Sequence, residues 1–236
     1  QIYGDFSGYS DIAIGTARLF GVKLMLNFHF PYFSRDIAEF WRRWHISLNT
    51  WFVDYLYIPL GGSRRGKWRT VRNTMVVFLT SGLWHGANLT FVAWGAWHAM
   101  LFVPLLLTGR NKRYLPSSAA GPVSFKESLM MGLTFILVVI GWVIFRADNL
   151  HQAADYIRLM FSHYTPAAAV LGKSALLWSV LMLAAEWLSR DREAPTFLPP
   201  KGMLRYRAVR WTVYLVLFLV TLIFAGSQAE FIYFKF

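Results

Sequence analysis

A run of 37 residues without Lys, Arg, Asp or Glu separates Arg72 from Arg110. A membrane-spanning helix needs about 20 apolar residues, so the run is too long for one ordinary span. It fits two short helices joined by a turn near Gly86–Asn88, and the basic residues at its two ends would then lie on one side of the membrane. The run therefore predicts a helical hairpin within a bilayer.

The composition supports a membrane protein. Hydrophobic residues make up 56% of the chain and charged residues 15%, whereas soluble domains carry about 25% charged residues. The net charge of +12 comes from short basic clusters between apolar runs, which is typical of topology signals and lipid-headgroup contacts. We therefore expect a lipid bilayer, and no nucleic acid, as partner. The lack of cysteine excludes disulfides, thiolate metal sites and a cysteine acyl-enzyme.

The remaining apolar segments predict a bundle of spans. We expect helices over residues 128–146, 168–188 and 209–226. By the positive-inside rule the basic loops are expected in the cytoplasm; they are 61–72, 109–127 and 189–210. The stretch 147–167 is expected on the other side, with a short interfacial helix over 149–161. The predicted fold class is all-α, a polytopic transmembrane helix bundle with an interfacial amphipathic helix and re-entrant or short helices.

Residues 34–51 predict that amphipathic helix, with Ser34 as its N-cap. Apolar side chains follow helical spacing on one face. They are Ile37, Phe40, Trp41, Trp44, Leu48 and Trp51. His45 lies one turn after Trp41, at the edge of this face.

The opening segment, 3–27, combines small and acidic residues. Gly4 and Gly8 form a G-x-x-x-G step, which predicts the close approach of another helix. Asp5 lies near the start of the apolar stretch, where a carboxylate needs a partner. A helix cap, a hydrogen bond between helices and a direct part in chemistry all remain open for Asp5.

His85 is the leading candidate for chemistry. It lies 13 residues after Arg72, and His98 lies 12 residues before Arg110, so the two are expected at similar depth on adjacent helices. An ionisable residue inside a membrane is by default a functional hypothesis. A neutral imidazole, with a reference pKa of about 6.5, can take a proton from a hydroxyl that attacks an acyl carbonyl. The alternative is that His85 only hydrogen-bonds across helices.

Other catalytic patterns are missing from the sequence. There is no G-x-S-x-G nucleophile elbow, H-E-x-x-H zinc motif or phosphate-binding glycine loop. The spacing of 13 residues between His85 and His98 does not match a metal site. We therefore predict no metal and no bound cofactor. Asn73 is expected to open the helix that carries His85, as a second-tier site candidate or as a helix cap.

The sequence carries several long motifs in one order. They are Asp5-Phe-Ser-Gly-Tyr-Ser-Asp, Asn27-Phe-His-Phe-Pro-Tyr-Phe-Ser, Glu39-Phe-Trp-Arg-Arg-Trp-His-Ile-Ser-Leu, Asp54-Tyr-Leu-Tyr-Ile-Pro-Leu-Gly-Gly, Gly82-Leu-Trp-His-Gly-Ala, Trp94-Gly-Ala-Trp-His, Gly141-Trp-Val-Ile-Phe-Arg-Ala and Phe231-Ile-Tyr-Phe-Lys-Phe. Together these motifs resemble the membrane-bound O-acyltransferase family in its bacterial alginate O-acetyltransferase branch.

The resemblance implies an enzyme and assigns roles. His85 matches the family's essential histidine, and His45 matches a second histidine of the site. His98, Asn73 and Asp5 remain second-tier candidates. The family takes an acyl group from a cytoplasmic thioester such as acetyl-CoA, which would act here as substrate. In this branch the acetyl group ends on an exported polysaccharide with the help of periplasmic partner proteins, so we expect a multi-pass protein of the bacterial inner membrane.

The resemblance also sets limits. The family is longer than this chain, so residues 1–236 are expected to be the C-terminal part of one membrane domain and to be inactive alone. D-alanyl transfer to teichoic acid and peptidoglycan acetylation remain open as alternatives within the same fold. By residue chemistry alone, a proton-coupled transporter or a scaffold for polysaccharide export also remains open.

Overall fold

The computed structural model describes residues 2–115, 123–162, 167–190 and 205–223. These residues form α-helices and short helical turns, as the sequence predicted for the fold class. The helices are α1 (Ile2–Leu19), α2 (Ile37–Arg43), α3 (Ile46–Phe52), α4 (Lys67–Trp84), α5 (Leu89–Leu107), α6 (Phe125–Arg146), α7 (Leu150–Ser162), α8 (Ala167–Ser189) and α9 (Arg207–Ile223).

Helices α4 and α5 form the predicted hairpin. The turn between them ends at Asn88, whose side chain caps α5 by accepting a hydrogen bond from the backbone of Thr90. Glycines let the two backbones touch, because a Cβ on Gly82 would overlap the carbonyl oxygen of Phe91. A Cβ on Gly95 would overlap the carbonyl of Phe78 in the same way. The hairpin is thus held by close backbone contact at two levels.

Helix α6 packs antiparallel against α5. It begins at a capping box, in which Ser124 and Glu127 exchange side-chain and backbone hydrogen bonds. The indole of Trp97 donates to the carbonyl of Leu137 at 3.0 Å and ties the middle of α5 to α6. At the hairpin tip, the amide of Asn88 donates to the carbonyl of Asp148 at 2.9 Å. The tip and the α6–α7 turn therefore share one end of the bundle, and the basic start of α4 lies at the other.

The single helix predicted over 34–51 is wrong. The chain forms two short helices, α2 and α3, with a break at Trp44 and His45. The side-chain amide of Asn49 donates to the carbonyls of Trp41 and Trp44 at 2.6 and 2.5 Å, which satisfies groups that a helix end leaves unpaired. Asp36 is the N-cap of α2, accepting from the backbone of Glu39; Ser34 instead bonds back to Pro31.

An ionic network fixes α2 inside the bundle. Glu39 is only 2% exposed and bridges Arg35 at 3.0 Å and Arg43 at 2.7 Å. Arg35 also bridges Glu127 of α6 at 3.0 Å. On the other side, Arg42 donates to backbone carbonyls that follow α5. A buried carboxylate is tolerated here because two guanidinium groups surround it.

The other predicted segments have mixed outcomes. The helices expected over 128–146, 149–161, 168–188 and 209–226 correspond to α6, α7, α8 and α9. Among the residues that the structure describes, two helices, α5 and α6, are long and apolar enough to cross a membrane. The close approach predicted at Gly4 and Gly8 is not found within the described residues, since no neighbouring atom lies within 4 Å of a Cβ built on either glycine. The closing motif at 231–236 and most of the loop 189–210 lie outside the described residues.

Candidate active site

His45 and His85 line one small cavity of about 20 Å³. Such a volume holds about one water molecule. The cavity lies between the α2–α3 break and the tip of the α4–α5 hairpin, with α6 closing it from the side. Its walls are mainly aromatic and include Trp41, Trp94 and Trp142. Two histidines that are 40 positions apart in sequence therefore face one largely apolar space.

His85 is held at the end of α4 by the fold of the hairpin. Its backbone N–H donates to the carbonyl of Gly82 at 3.1 Å. Its ring meets those of Phe145 and Trp94 nearly edge-on, with centroids 4.9 and 5.3 Å away. Gly86 follows with a φ of 149°, and a Cβ there would press on the ring of Phe91. The glycine after His85 thus lets the chain turn immediately without displacing the imidazole.

His45 is held by an unusual backbone and by a remote loop. It adopts the left-handed conformation, with φ 44° and ψ 53°, which costs a non-glycine residue of the order of 1 kcal/mol. Its Nδ1 lies 3.4 Å from the hydroxyl of Ser47, and that hydroxyl lies 2.5 Å from Oδ1 of Asn27. The ring of Phe6 packs edge-on against the imidazole, at 4.7 Å between centroids. Strain held at a cavity wall supports the hypothesis of a functional role.

Three larger spaces share lining residues with the small cavity. One of about 540 Å³ shares Ile2 and Trp142 with it, and two others lie at opposite ends of the bundle. One, of about 480 Å³, opens near the basic end of α4 and shares Trp41, Asn49 and Ser81 with the small cavity. The other, a cleft of about 800 Å³, lies at the hairpin tip and shares His85 and Phe145 with it. The two histidines therefore stand between two spaces that face opposite ends of the molecule.

The arrangement suits acyl transfer between the two ends. An imidazole can remove a proton from a hydroxyl during attack on a carbonyl. The aromatic walls exclude bulk water, which would otherwise compete with the acceptor hydroxyl. Within the described residues no group of three or more His, Cys, Asp or Glu side chains could hold a metal ion. The catalytic roles of His85 and His45 stay predictions.

His98 does not lie where the sequence suggested. It is fully buried, with Trp41 and Trp94 packed against it at 4.9 and 5.1 Å between centroids. The prediction that it shares the depth of His85 is wrong, because His85 lies at the hairpin tip and His98 lies in the middle of α5. The prediction places each histidine by its separation from the nearest arginine. These separations are not comparable, because Arg72 lies inside α4 whereas Arg110 lies beyond the end of α5.

Asn73 does not open or cap a helix, because it lies in the second turn of α4. It is fully buried, and its amide donates to the carbonyls of Leu60 and Gly62 at 3.2 and 3.0 Å. Its oxygen accepts two bonds from Arg72. Asn73 therefore fastens the loop before α4 to the helix.

Asp5 lies in the first turn of α1 and is half-buried. A carboxylate there is stabilised by the helix dipole. Asp5 is not among the residues that line the cavities described above. Its proposed part in chemistry gains no support from this position.

Sequence reasoning missed several residues of the site. Asn27, Ser47 and Asn49 shape the backbone around His45, and Trp142 and Phe145 close the cavity from α6. The only sequence signal for Asn27, Ser47, Trp142 and Phe145 was their presence inside the motifs quoted above, and Asn49 lies just beyond the motif that contains His45. Their partners are remote in sequence, so neither periodicity nor local spacing reveals the contacts.

Comparisons with known proteins agree with the motifs. A model of the membrane-bound O-acyltransferase family matches residues 1–114. The probable alginate O-acetylase of Pseudomonas syringae pv. tomato is 53% identical over 162 residues, covering 69% of this chain and 30% of that protein. The peptidoglycan O-acetyltransferase of Helicobacter pylori is 40% identical over 160 residues, covering 68% of this chain and 29% of that protein.

A more distant relative is the teichoic acid D-alanyltransferase of Bacillus subtilis, 32% identical over 163 residues, covering 64% of this chain and 40% of that protein. The chain spans about a third of the length of the alginate relatives that it matches. Both the matched region and the pair of histidines at one cavity fit the earlier resemblance. The chain therefore belongs to the membrane-bound O-acyltransferase family.

Proposed function

We propose that the protein transfers an acetyl group from a cytoplasmic thioester, acetyl-CoA, toward hydroxyls of an exported polysaccharide of the alginate type. The observation that carries the proposal is the single cavity that His45 and His85 share between two larger spaces at opposite ends of the bundle. A thioester could approach from one end and a hydroxyl from the other. The identities to alginate and peptidoglycan acetylases support acetyl transfer to a saccharide hydroxyl.

His85 acts as the general base in this proposal. It takes the proton of the acceptor hydroxyl as the hydroxyl oxygen attacks the thioester carbonyl carbon. The tetrahedral intermediate then collapses, the carbon–sulfur bond breaks, and the proton passes from His85 to the leaving thiolate. The products are an acetyl ester and a free thiol, and His85 returns to its neutral form.

Access from two sides fits the charge pattern. The space of about 480 Å³ adjoins the basic end of α4, which the positive-inside rule assigns to the cytoplasm, where the thioester is found. The cleft at the hairpin tip is bordered by His85, Asn88 and Asp148, whose polar groups suit a hydroxyl-rich acceptor or a carrier of the acetyl group. The protein would thus be a multi-pass enzyme of the bacterial inner membrane that works with periplasmic acetyl-transfer proteins.

The acceptor could differ within the same chemistry. Acyl transfer to peptidoglycan or D-alanyl transfer to teichoic acid would use the same histidines, and relatives with those names match this chain. The higher identity to the alginate acetylase favours the polysaccharide acceptor. An export scaffold would not need an imidazole at position 85, whereas a proton-coupled transporter could use one. Binding of labelled acetyl-CoA to the full-length protein would favour an enzyme over both.

The decisive experiment measures acetyl-ester content of the exported polysaccharide in cells that carry the full-length protein or its His85→Ala variant at matched membrane levels. We expect acetylation to fall by about 10² to 10⁴-fold, the usual contribution of general base catalysis. His151→Ala is the matched control, because the side chain of His151 is 89% exposed and its ion pair is with Asp155 of the same helix; this variant should acetylate normally. Unchanged acetylation in His85→Ala would overturn the proposed role and return the transporter and scaffold readings.

A further inference from the structure

The amide of Asn27 has a defined orientation. Two donors of Ser47 approach its Oδ1, the backbone N–H at 3.3 Å and the hydroxyl at 2.5 Å. A backbone N–H can only donate, so the atom of Asn27 that faces it must be the oxygen. The amide nitrogen then faces the hydroxyl of Ser10 on α1 at 3.4 Å. The orientation therefore follows from a donor whose chemistry is fixed.

The hydroxyl of Ser47 has one proton, and Asn27 receives it. The oxygen–oxygen distance of 2.5 Å, with Oδ1 unable to donate, requires the Ser47 hydroxyl to be the donor. Toward Nδ1 of His45, 3.4 Å away, the hydroxyl can offer only a lone pair. This pairing favours the ring proton of a neutral His45 on Nδ1, which leaves Nε2 unprotonated.

We infer that Asn27 and Ser47 hold His45 in its Nδ1–H tautomer, which leaves Nε2 as a hydrogen-bond acceptor for the cavity that it shares with His85. The catalytic consequence of this inference rests on the proposed function. A neutral His45 in this tautomer cannot donate from Nε2 to a thioester carbonyl. His45 could orient the thioester carbonyl by donation or accept a hydrogen bond within the cavity, and this tautomer allows only the second role.

The surrounding backbone makes the chain of hydrogen bonds rigid. The carbonyl of Asn27 accepts the N–H of Ile46 at 3.0 Å, so both polar ends of Asn27 hold the start of α3. Phe6 packs on one side of the His45 ring and Phe28 lies farther away on another. Together with the left-handed backbone of His45, these contacts restrict the imidazole to one orientation.

The tautomer gives His45 a function through its neighbour. An acceptor at Nε2 can receive a hydrogen bond from a ring N–H of His85, directly or through the one water that the cavity accommodates. The other nitrogen of His85 is then unprotonated and can take the hydroxyl proton. His45 is therefore a positioning residue, and Asn27 and Ser47 act on the reaction through it.

The test is nitrogen NMR on the full-length protein labelled with ¹⁵N-histidine, with the His45 signals assigned by their loss in His45→Gln. We expect a protonated, pyrrole-type Nδ1 and an unprotonated, pyridine-type Nε2. Ser47→Thr keeps the hydroxyl and should keep this spectrum, whereas Ser47→Ala should give a mixture of tautomers. An Nε2–H tautomer in the wild type, or no change in Ser47→Ala, would overturn the inference.

Activity provides an independent readout. Ser47→Ala should lower the maximal rate of acetyl transfer at least several-fold at matched membrane level, and Ser47→Thr should restore most of it. If both serine variants show the same rate, the positioning role is wrong. A correct tautomer in a protein that transfers no acetyl group would instead refute the proposed function and leave the tautomer assignment intact.

Discussion

His85 and His98 lie on one helical hairpin, yet their surroundings differ. His85 lies at the tip, half-buried, and borders both the small cavity and the cleft beyond it. His98 lies within α5, fully buried, and neither of its ring nitrogens has a hydrogen-bond partner within the described part of the chain. Trp94 touches both rings, at 5.3 and 5.1 Å between centroids.

The comparison shows that position on the hairpin decides which of the two histidines is a candidate for catalysis. An imidazole must reach a space where a substrate can lie, and only His85 of the two lines such a space among those described. His98 contributes to the packing of an aromatic core, where Gly141 leaves room for its Nε2. The hairpin thus places one histidine, His85, in the wall of the cavity and the other, His98, in the packed core behind it.

The largest effect is expected where the hairpin backbones touch, because that contact fixes the positions of both histidines. In Gly95→Leu the new side chain overlaps the carbonyl of Phe78, so α4 and α5 must separate. We expect a loss of about 3 kcal/mol of stability or more. The measurement is the amount of folded full-length protein in the membrane and its melting temperature in detergent.

A control for this prediction lies on α6. Gly132 is exposed, and a Cβ built on it meets no atom within 4 Å. Gly132→Leu should therefore fold normally, since it removes only a poor helix former. If Gly95→Leu melts at the same temperature as Gly132→Leu, the close backbone contact does not hold the hairpin.

A smaller and more selective effect is expected at Asn88, which fastens the tip beside His85. Its Oδ1 caps α5, and its Nδ2 donates to the carbonyl of Asp148. Asn88→Ala loses both bonds and should cost about 1–2 kcal/mol. Asn88→Asp keeps the cap but loses the donor, so its stability should fall less.

The two Asn88 variants also test whether loosening the hairpin tip affects His85 but not the core around His98. Acetyl transfer should fall several-fold in both, because His85 borders the released tip, whereas the core around His98 should stay packed. Rates are measured on polysaccharide acetylation at matched membrane levels. Equal activity of Asn88→Asp and wild type would mean that the bond to Asp148 does not position His85.

Much of the bundle could be predicted because its signals are local. The run without charges between Arg72 and Arg110 predicted the hairpin, and Gly86–Asn88 predicted its turn. The start of α6 at Phe125 rather than 128 was readable too, since Ser124 and Glu127 have the spacing of a capping box. Local features of this kind depend only on residues a few positions apart.

The corner that carries His45 could not be predicted in the same way. Helical periodicity runs from Ile37 through Trp51 without interruption, and nothing nearby marks a break. The break depends on Asn49 reaching back to α2 and on Asn27, which lies 20 positions before Ser47. These tertiary hydrogen bonds override the local helical pattern, and the break that they stabilise places His45 at the cavity.

The smallest effect is expected from His98→Leu, which is the sharpest test of the comparison. Leucine has a similar volume and removes two buried nitrogens that have no hydrogen-bond partner among the described residues. The loss of packing and the relief of desolvation should therefore nearly offset each other. We expect a change in stability of less than about 1 kcal/mol and acetyl transfer close to wild type. His98→Ala, which leaves a cavity, should destabilise more, by about 2 kcal/mol or above. If His98→Leu melts like the wild type but abolishes transfer, His98 takes part in the chemistry. Burial behind Trp94 would then not distinguish a structural histidine from a catalytic one.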